Sequence, residues 1–144
     1  MRNDAARAQQ EFETARPILE QVVMKSPQDG IRHAQLGFLY ALMGRKDDAL
    51  REGQRGAELT PLSKDMINGG TVQGFLALIY ARIGDADRAI ELLERLLITP
   101  FAVDYADNGI ALADLRQRWE WDPLRNHPRF QKILASPEPK TVYK

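Results

Sequence analysis

Cysteine is absent from this 144-residue sequence, and several other features are scarce or missing. Without cysteine, the chain cannot form a disulfide framework, a thiol nucleophile or a cysteine-ligated metal site, so we expect a reducing, cytoplasmic setting. No apolar run approaches the ~18 residues that a membrane-spanning helix needs, and the charged N-terminal stretch predicts no signal peptide. Twenty basic residues balance twenty acidic ones, and the basic excess typical of nucleic-acid binders is missing. The sequence therefore predicts contact with neither membranes nor nucleic acids.

Side chains that could carry chemistry are few and scattered. The only histidines, His33 and His127, do not form the paired spacing of a zinc-binding helix. Acidic pairs that begin at Asp47 and Asp85 precede helical patterns, where carboxylates stabilise the positive end of a helix. No serine lies in a nucleophile elbow of the Gly-x-Ser-x-Gly type. We therefore predict no catalytic residues, no metal and no cofactor, and a chain that is not an enzyme.

Residues 30–61 carry the clearest structural signal. Apolar side chains at helical spacing predict a helix that ends at Gly44, because glycine accepts the left-handed conformation of a helix C-terminus without steric cost. A second helical pattern, with Ala49 and Leu50 turned inward, follows and closes at Pro61. Two short helices of this kind predict an antiparallel helical hairpin, which is too small to bury its apolar face without neighbours.

A second copy of this pattern occupies residues 71–100. Tyr80, Gly84 and Ala89 reproduce the spacings of four and five residues that separate Tyr40, Gly44 and Ala49. Self-similarity at a fixed period is the signature of stacked helical repeats.

The duplicated pattern resembles the tetratricopeptide repeat (TPR) family. Its L-G-x-x-Y…G…A…P motif is matched by Leu36, Gly37, Tyr40, Gly44, Ala49 and Pro61, and in the second copy by Leu76, Ala77, Tyr80, Gly84 and Ala89, with Pro100 one place early. The resemblance implies an all-α fold: a right-handed superhelical stack of hairpins forming one domain over residues 1–144. The predicted parts are a half repeat at 4–27, repeats at 30–62 and 71–100, a C-terminal cap at 101–136 and a tail at 137–144.

Two details of this layout can be stated in advance. Pro17 lies inside the amphipathic pattern of the half repeat, and it predicts a kink or break near residues 13–17. Residues 63–70 exceed the ordinary repeat length and contain Asn-Gly-Gly, a turn signal, so they predict either a longer loop or an added turn of helix.

The W-D-P-L-R ending from Trp121 resembles the close of TPR regions in large bacterial signalling proteins, which join them to kinase, cyclase or winged-helix domains.

The resemblance also implies a function, the binding of a protein or peptide in a concave groove. The groove positions of the family fall mostly on apolar or small residues here, and we predict partner contacts at Phe38, Leu42, Leu78 and Arg82. The groove would accept an apolar helix or extended segment, or else be filled by the chain's own N-terminal helix or C-terminal tail. The alternative function is self-association, in which the open half repeat pairs with its copy in a homodimer.

Overall fold

Helices make up nearly all of the computed structural model, which describes residues 2–99 and 111–137. Over these residues there is no β-strand, and the all-α prediction is confirmed for them. The helices are α1 (Arg2–Lys25), α2 (Gly30–Leu42), α3 (Lys46–Leu59), α4 (Met66–Ile83), α5 (Ala86–Ile98), α6 (Leu112–Gln117), a 3-10 helix (Trp119–Leu124) and α7 (Pro128–Ala135).

Two helical hairpins lie where the repeats were predicted. Both turns contain a glycine in the left-handed region, Gly44 at φ 78° and Gly84 at φ 91°, as the pattern required. Asp85 then accepts a hydrogen bond from the backbone N–H of Arg88 and caps α5. α2 packs against α3 and α4 against α5, while α4 also packs against α2 and α3. Each hairpin therefore buries its apolar face against its neighbour.

A seam of small residues lets α2 and α3 approach closely. A Cβ added to Gly37 would lie 2.9 Å from both the Ala49 oxygen and the Gly53 nitrogen. One added to Gly56 would lie 2.6 Å from the oxygen of Gly30. Since real Cβ atoms do not approach backbone atoms this closely, glycine is required at these two positions by packing, and not by backbone conformation.

The segment after α3 differs from one of its two predicted forms. α4 begins at Met66, so the Asn-Gly-Gly run lies within its first turns and does not form a turn between repeats. Asp65 starts the helix by accepting hydrogen bonds from the backbone N–H groups of Ile67 and Asn68. Gly69 is needed because a Cβ there would lie 2.8 Å from the Cα of Leu62. The surplus residues lengthen the helix, and the second hairpin starts at Met66, before the predicted residue 71.

The break predicted near Pro17 is wrong, because α1 is a continuous helix from Arg2 to Lys25. Arg16 contacts Glu13 at 3.2 Å and Glu20 at 3.1 Å, so its two ion pairs span the proline from one turn to the next. Pro17 and Glu13, the residue whose carbonyl oxygen Pro17 cannot bond, are both exposed. Local pairing and solvation therefore offset the missing hydrogen bond.

Two hydrophobic clusters hold the helices together. The larger cluster joins α4 and α5 to the C-terminal helices, with Trp121, Phe130 and Leu115 fully buried. The smaller cluster contains Leu36 and Tyr40 of α2, and side chains of α1 pack against it. The C-terminal helices (α6, the 3-10 helix and α7), which we refer to as the cap, pack against α4 and α5; residues 101–110 of the predicted cap and residues 138–144 of the predicted tail lie outside the described part. No helix of residues 2–99 and 111–137 has the length and apolarity needed to cross a bilayer.

Candidate binding surface on helices α2 and α4

One face of α2 and the equivalent face of α4 form the candidate surface. Its residues are spaced i, i+4, i+7 and i+11, which places each set on one side of its helix. We call this surface the α2–α4 face; it comprises Ile31, Gln35, Phe38 and Leu42 of α2 and Thr71, Phe75 and Arg82 of α4, while Leu78 holds the remaining position of the α4 set. All of these residues except Leu78 are partly exposed.

Two aromatic rings occupy the centre of the α2–α4 face. The ring centroids of Phe38 and Phe75 are 6.1 Å apart, with the planes tilted by 46°. This separation and tilt lie within the range in which aromatic pairs attract beyond simple area burial. Both rings also pack against the larger hydrophobic cluster, so their positions are fixed by the core while their outer edges meet solvent.

The four predicted contact residues have different environments. Phe38 and Leu42 are half-buried on α2, as a contact surface requires. Leu78 is only 4% exposed, since its side chain joins the larger cluster with residues of the cap. Leu78 therefore belongs to the interior of the folded chain, and we do not carry it into the proposed surface. The structure tests the placement of these residues and leaves their binding role a prediction.

Arg82 is engaged by the cap. One of its Nη atoms donates hydrogen bonds to the carbonyl oxygens of Trp119 at 3.2 Å and Glu120 at 3.5 Å. Its guanidinium carbon lies 5.1 Å from the centre of the Trp119 ring, in cation–π geometry. Burial alone would raise the pKa of Glu120, but the Arg118 guanidinium at 2.8 Å, together with Arg82, holds that pKa below its ordinary value. Arg82 thus joins α4 to the 3-10 helix at one end of the face.

His33 is buried, and it has polar partners on both ring nitrogens. Nδ1 lies 2.6 Å from the Glu52 carboxylate and Nε2 lies 2.9 Å from the carbonyl oxygen of Pro27. Because a carbonyl oxygen can only accept, Nε2 is the donor to Pro27, and the proton between the other pair lies on Nδ1 or on Glu52. His33 therefore ties the turn after α1 to α3, which is a structural role.

A second polar contact anchors α1. The hydroxyl of Tyr40 donates to Glu20 at 2.6 Å, and the guanidinium carbon of Arg45 lies 4.5 Å from the centre of the tyrosine ring. Burial, followed by this hydrogen bond, raises the pKa of Tyr40 to about 12. The same hydrogen bond, assisted by Arg16, lowers the pKa of Glu20. Both shifts favour a neutral tyrosine and an ionised glutamate, which is the hydrogen-bonded state of the pair.

Two depressions lie elsewhere on the described residues. A depression of about 520 Å³ is lined by α3 residues alone, including Asp47, Glu52 and Glu58. Another of about 310 Å³ lies where Asp29 and Asp65 cap α2 and α4, so both carboxylates are already engaged with backbone N–H groups. Among residues 2–99 and 111–137, no three His, Cys, Asp or Glu side chains are placed to hold a metal ion.

Two members of this region escaped the sequence prediction. Phe75 aligns with Gln35 of the first repeat, so comparison between the copies gave no reason to select it. The signal that could have found it is the spacing within α4, where positions 71, 75, 78 and 82 share a face. Trp119 was assigned to the cap, yet its side chain is 55% exposed beside Arg82.

Comparisons with protein-family models, curated proteins and solved structures gave no match to this chain.

Proposed function

We propose that this chain is a non-catalytic protein interaction module that binds a segment of a partner protein along the α2–α4 face. The observation that carries the proposal is the half-buried pair Phe38 and Phe75, whose ring centroids lie 6.1 Å apart on adjacent helices. Aromatic side chains held rigidly at a surface are the residues that most often anchor a binding partner. Leu42 and Ile31 extend the apolar area along α2.

The arrangement of the helices supports this function. The order of packing, in which each hairpin contacts the next through its first helix, is that of a stack of helical repeats. Together with the duplicated sequence pattern, it supports a right-handed TPR-like superhelix closed by the C-terminal cap. The α2–α4 face then corresponds to the inner groove of the stack. The W-D-P-L-R ending supports a place in a larger bacterial signalling protein.

The partner should present apolar side chains on a helix or an extended segment. The α2–α4 face carries two polar side chains, Gln35 and Thr71, and its one charged residue, Arg82, is already bound to the cap. A partner recognised mainly by charge would find few complementary groups there. We therefore expect two or three apolar anchors at helical spacing, or alternate apolar residues of an extended peptide.

The test is selection of binding peptides from a random displayed library, followed by affinity measurement with the purified chain. Leu42→Asp and Gln35→Lys alter the exposed parts of the face without reaching the core, and each should weaken binding at least about tenfold. Met24→Asp, at a side chain that is 78% exposed on α1, is the matched control and should leave the affinity unchanged. Trp119 fluorescence should also respond, because its ring lies beside Arg82 at the end of the face.

Two results would contradict the proposal. In the first, selected peptides bind but the amide resonances that they perturb lie outside α2 and α4. In the second, the control variant weakens binding as much as the two variants of the face, which would show that the apolar area on α2 is not the site.

A further inference from the structure

One side of α1, beside its docked face, carries a stripe of residues that are only partly covered: Glu11, Ile18 and Lys25 are exposed, and Ala15 and Val22 are half-buried. The inner side of α1 is docked through Leu19 and Val23, which pack against the smaller cluster. The stripe, which we call the α1 stripe, is spaced four, three, four and three residues apart and consists of Glu11, Ala15, Ile18, Val22 and Lys25. Ile18 lies at its centre and is 63% exposed.

Helix α3 shows what the corresponding side of a helix contacts in this chain. Ala15 precedes Pro27 by the same twelve residues that separate Ala49 from Pro61, so α1 corresponds to α3. In α3, Ala49 is fully buried, and Glu52 reaches His33 of α2. Ile18 corresponds to Glu52, so it faces the position that a preceding helix would occupy in the stack. Within the described residues no helix lies there, and the apolar side chain of Ile18 is therefore exposed.

The α1 stripe is complementary to itself. Glu11 lies seven residues before Ile18, and Lys25 lies seven residues after it. At 1.5 Å per residue, each charge is therefore about 10.5 Å from the centre, in opposite directions along the axis. A two-fold axis at Ile18 would place Glu11 of each copy opposite Lys25 of the other, with Ala15 and Val22 between them. Opposite charges at equal distances from an apolar centre are the pattern of an antiparallel pair of identical helices.

We propose that two copies of this chain associate through an antiparallel pairing of their α1 helices, with Ile18 on the two-fold axis. The side chains of Ile18, Ala15 and Val22 form the apolar centre, and two Glu11–Lys25 ion pairs close its ends. Glu11 also contacts Arg7 of its own helix at 3.3 Å, but both side chains are mostly exposed, so this local pair contributes little and leaves the carboxylate open. Axes of packed helices lie ~8–10 Å apart, which is within reach of a lysine and a glutamate.

The first test compares two exposed apolar side chains on the same helix. Light scattering should show a mass rising from the monomer value of 16.3 kDa toward twice that value as the concentration increases. We expect the rise between about 10 µM and about 1 mM, since a single helix pair lies at the small end of interface sizes. Ile18→Glu should abolish it across this range. Met24→Glu, at a side chain 78% exposed on another side of α1, should leave it unchanged.

The second test uses charge exchange and identifies the register. Glu11→Lys places lysine opposite lysine, and Lys25→Glu places glutamate opposite glutamate, so each variant alone should associate about tenfold more weakly. An equimolar mixture of the two variants should recover association, because both ion pairs re-form between unlike chains. The double variant Glu11→Lys, Lys25→Glu should also recover it. In a parallel pairing each residue would face its own copy, so neither single variant would associate more weakly than the unaltered chain, and the mixture would associate more strongly than it.

Three outcomes would overturn the proposal: a monomer at all concentrations, loss of association in Met24→Glu, or failure of the mixed variants to recover. A monomeric chain would mean that a helix of another protein, if anything, covers the α1 stripe. Far-UV circular dichroism of each variant confirms that the substitution leaves the helices folded. Peptide binding at the α2–α4 face does not depend on this contact, so the two proposals can fail separately.

Discussion

Replacement of glycine by alanine and by asparagine, at two positions with opposite physical constraints, tests the packing of the first hairpin. At Gly37 the constraint is space, because an added Cβ would lie 2.9 Å from two backbone atoms of α3 and from a methyl group of Ile79. At Gly44 the constraint is conformation, because φ is 78° and nothing lies within 4 Å of an added Cβ.

The magnitudes follow from these two environments. Gly37→Ala gains roughly 1 kcal/mol of helix propensity but incurs roughly 1–3 kcal/mol of overpacking, for a net loss of about 0–2 kcal/mol. Gly37→Asn adds a larger polar side chain to the same closed space, so we expect a loss above about 3 kcal/mol. Gly44→Ala should cost about 1 kcal/mol, the strain of a left-handed alanine. Gly44→Asn should cost less than alanine, because asparagine is tolerated in this conformation.

Urea unfolding followed by far-UV circular dichroism measures all four free energies of unfolding, provided that the dependence on urea keeps the same slope. The order of the two substitutions is the decisive result: asparagine should be worse than alanine at Gly37 and better than alanine at Gly44. If asparagine at Gly37 is as stable as alanine there, α2 and α3 are not in close contact and the reasoning is refuted.

Three further substitutions test the other contacts. Tyr40→Phe should lower stability by about 1–2 kcal/mol near neutral pH. Because the pKa of Tyr40 is raised in the folded state, its contribution to the free energy of unfolding is lost as the pH rises through about 12. Because the pKa of Glu20 is lowered in the folded state, its contribution is lost as the pH falls below the ordinary range of a glutamate. Tyr40→Phe should therefore flatten both limbs of the stability–pH profile, and an unchanged profile would contradict the pairing. Glu52→Ala should cost about 1–3 kcal/mol by leaving a buried imidazole without its partner, whereas Glu58→Ala, at an exposed site, should stay within about 0.5 kcal/mol. Trp121→Ala should cost about 3–5 kcal/mol because the side chain is fully buried in the cap, and loss of near-ultraviolet circular dichroism without loss of helix would locate the damage.

Features set by the local sequence could be predicted, and features set by distant contacts could not. The left-handed turns at Gly44 and Gly84 and the cap at Asp85 depend on neighbours in the chain, so the repeat pattern located them correctly. The helical start of α4 was less accessible to prediction, because Asn-Gly-Gly favours a turn locally. Only the close approach of Leu62 to Gly69 shows that glycine serves packing there.

The same distinction applies to the candidate surface. The family resemblance placed Phe38 and Leu42 on a groove-lining face, and both side chains are partly exposed. The burial of Leu78 depends on where the cap docks, and nothing in the sequence of α4 specifies that position. Helical periodicity defines the face of a helix, but it does not define which element covers that face.

The unequal size of the two hydrophobic clusters gives the chain an order in which its parts open. In a stack where each element contacts only its neighbours, local opening begins at the end that the fewest interactions hold. That end is α1, which the smaller cluster and the Tyr40–Glu20 hydrogen bond hold, whereas α4 and α5 lie within the larger cluster. Amide hydrogens of α1 should therefore exchange with solvent through local unfolding, whereas those of α4 should exchange only through global unfolding. A second copy on α1 would slow exchange first in the segment that opens most easily, so protection of α1 would rise with protein concentration.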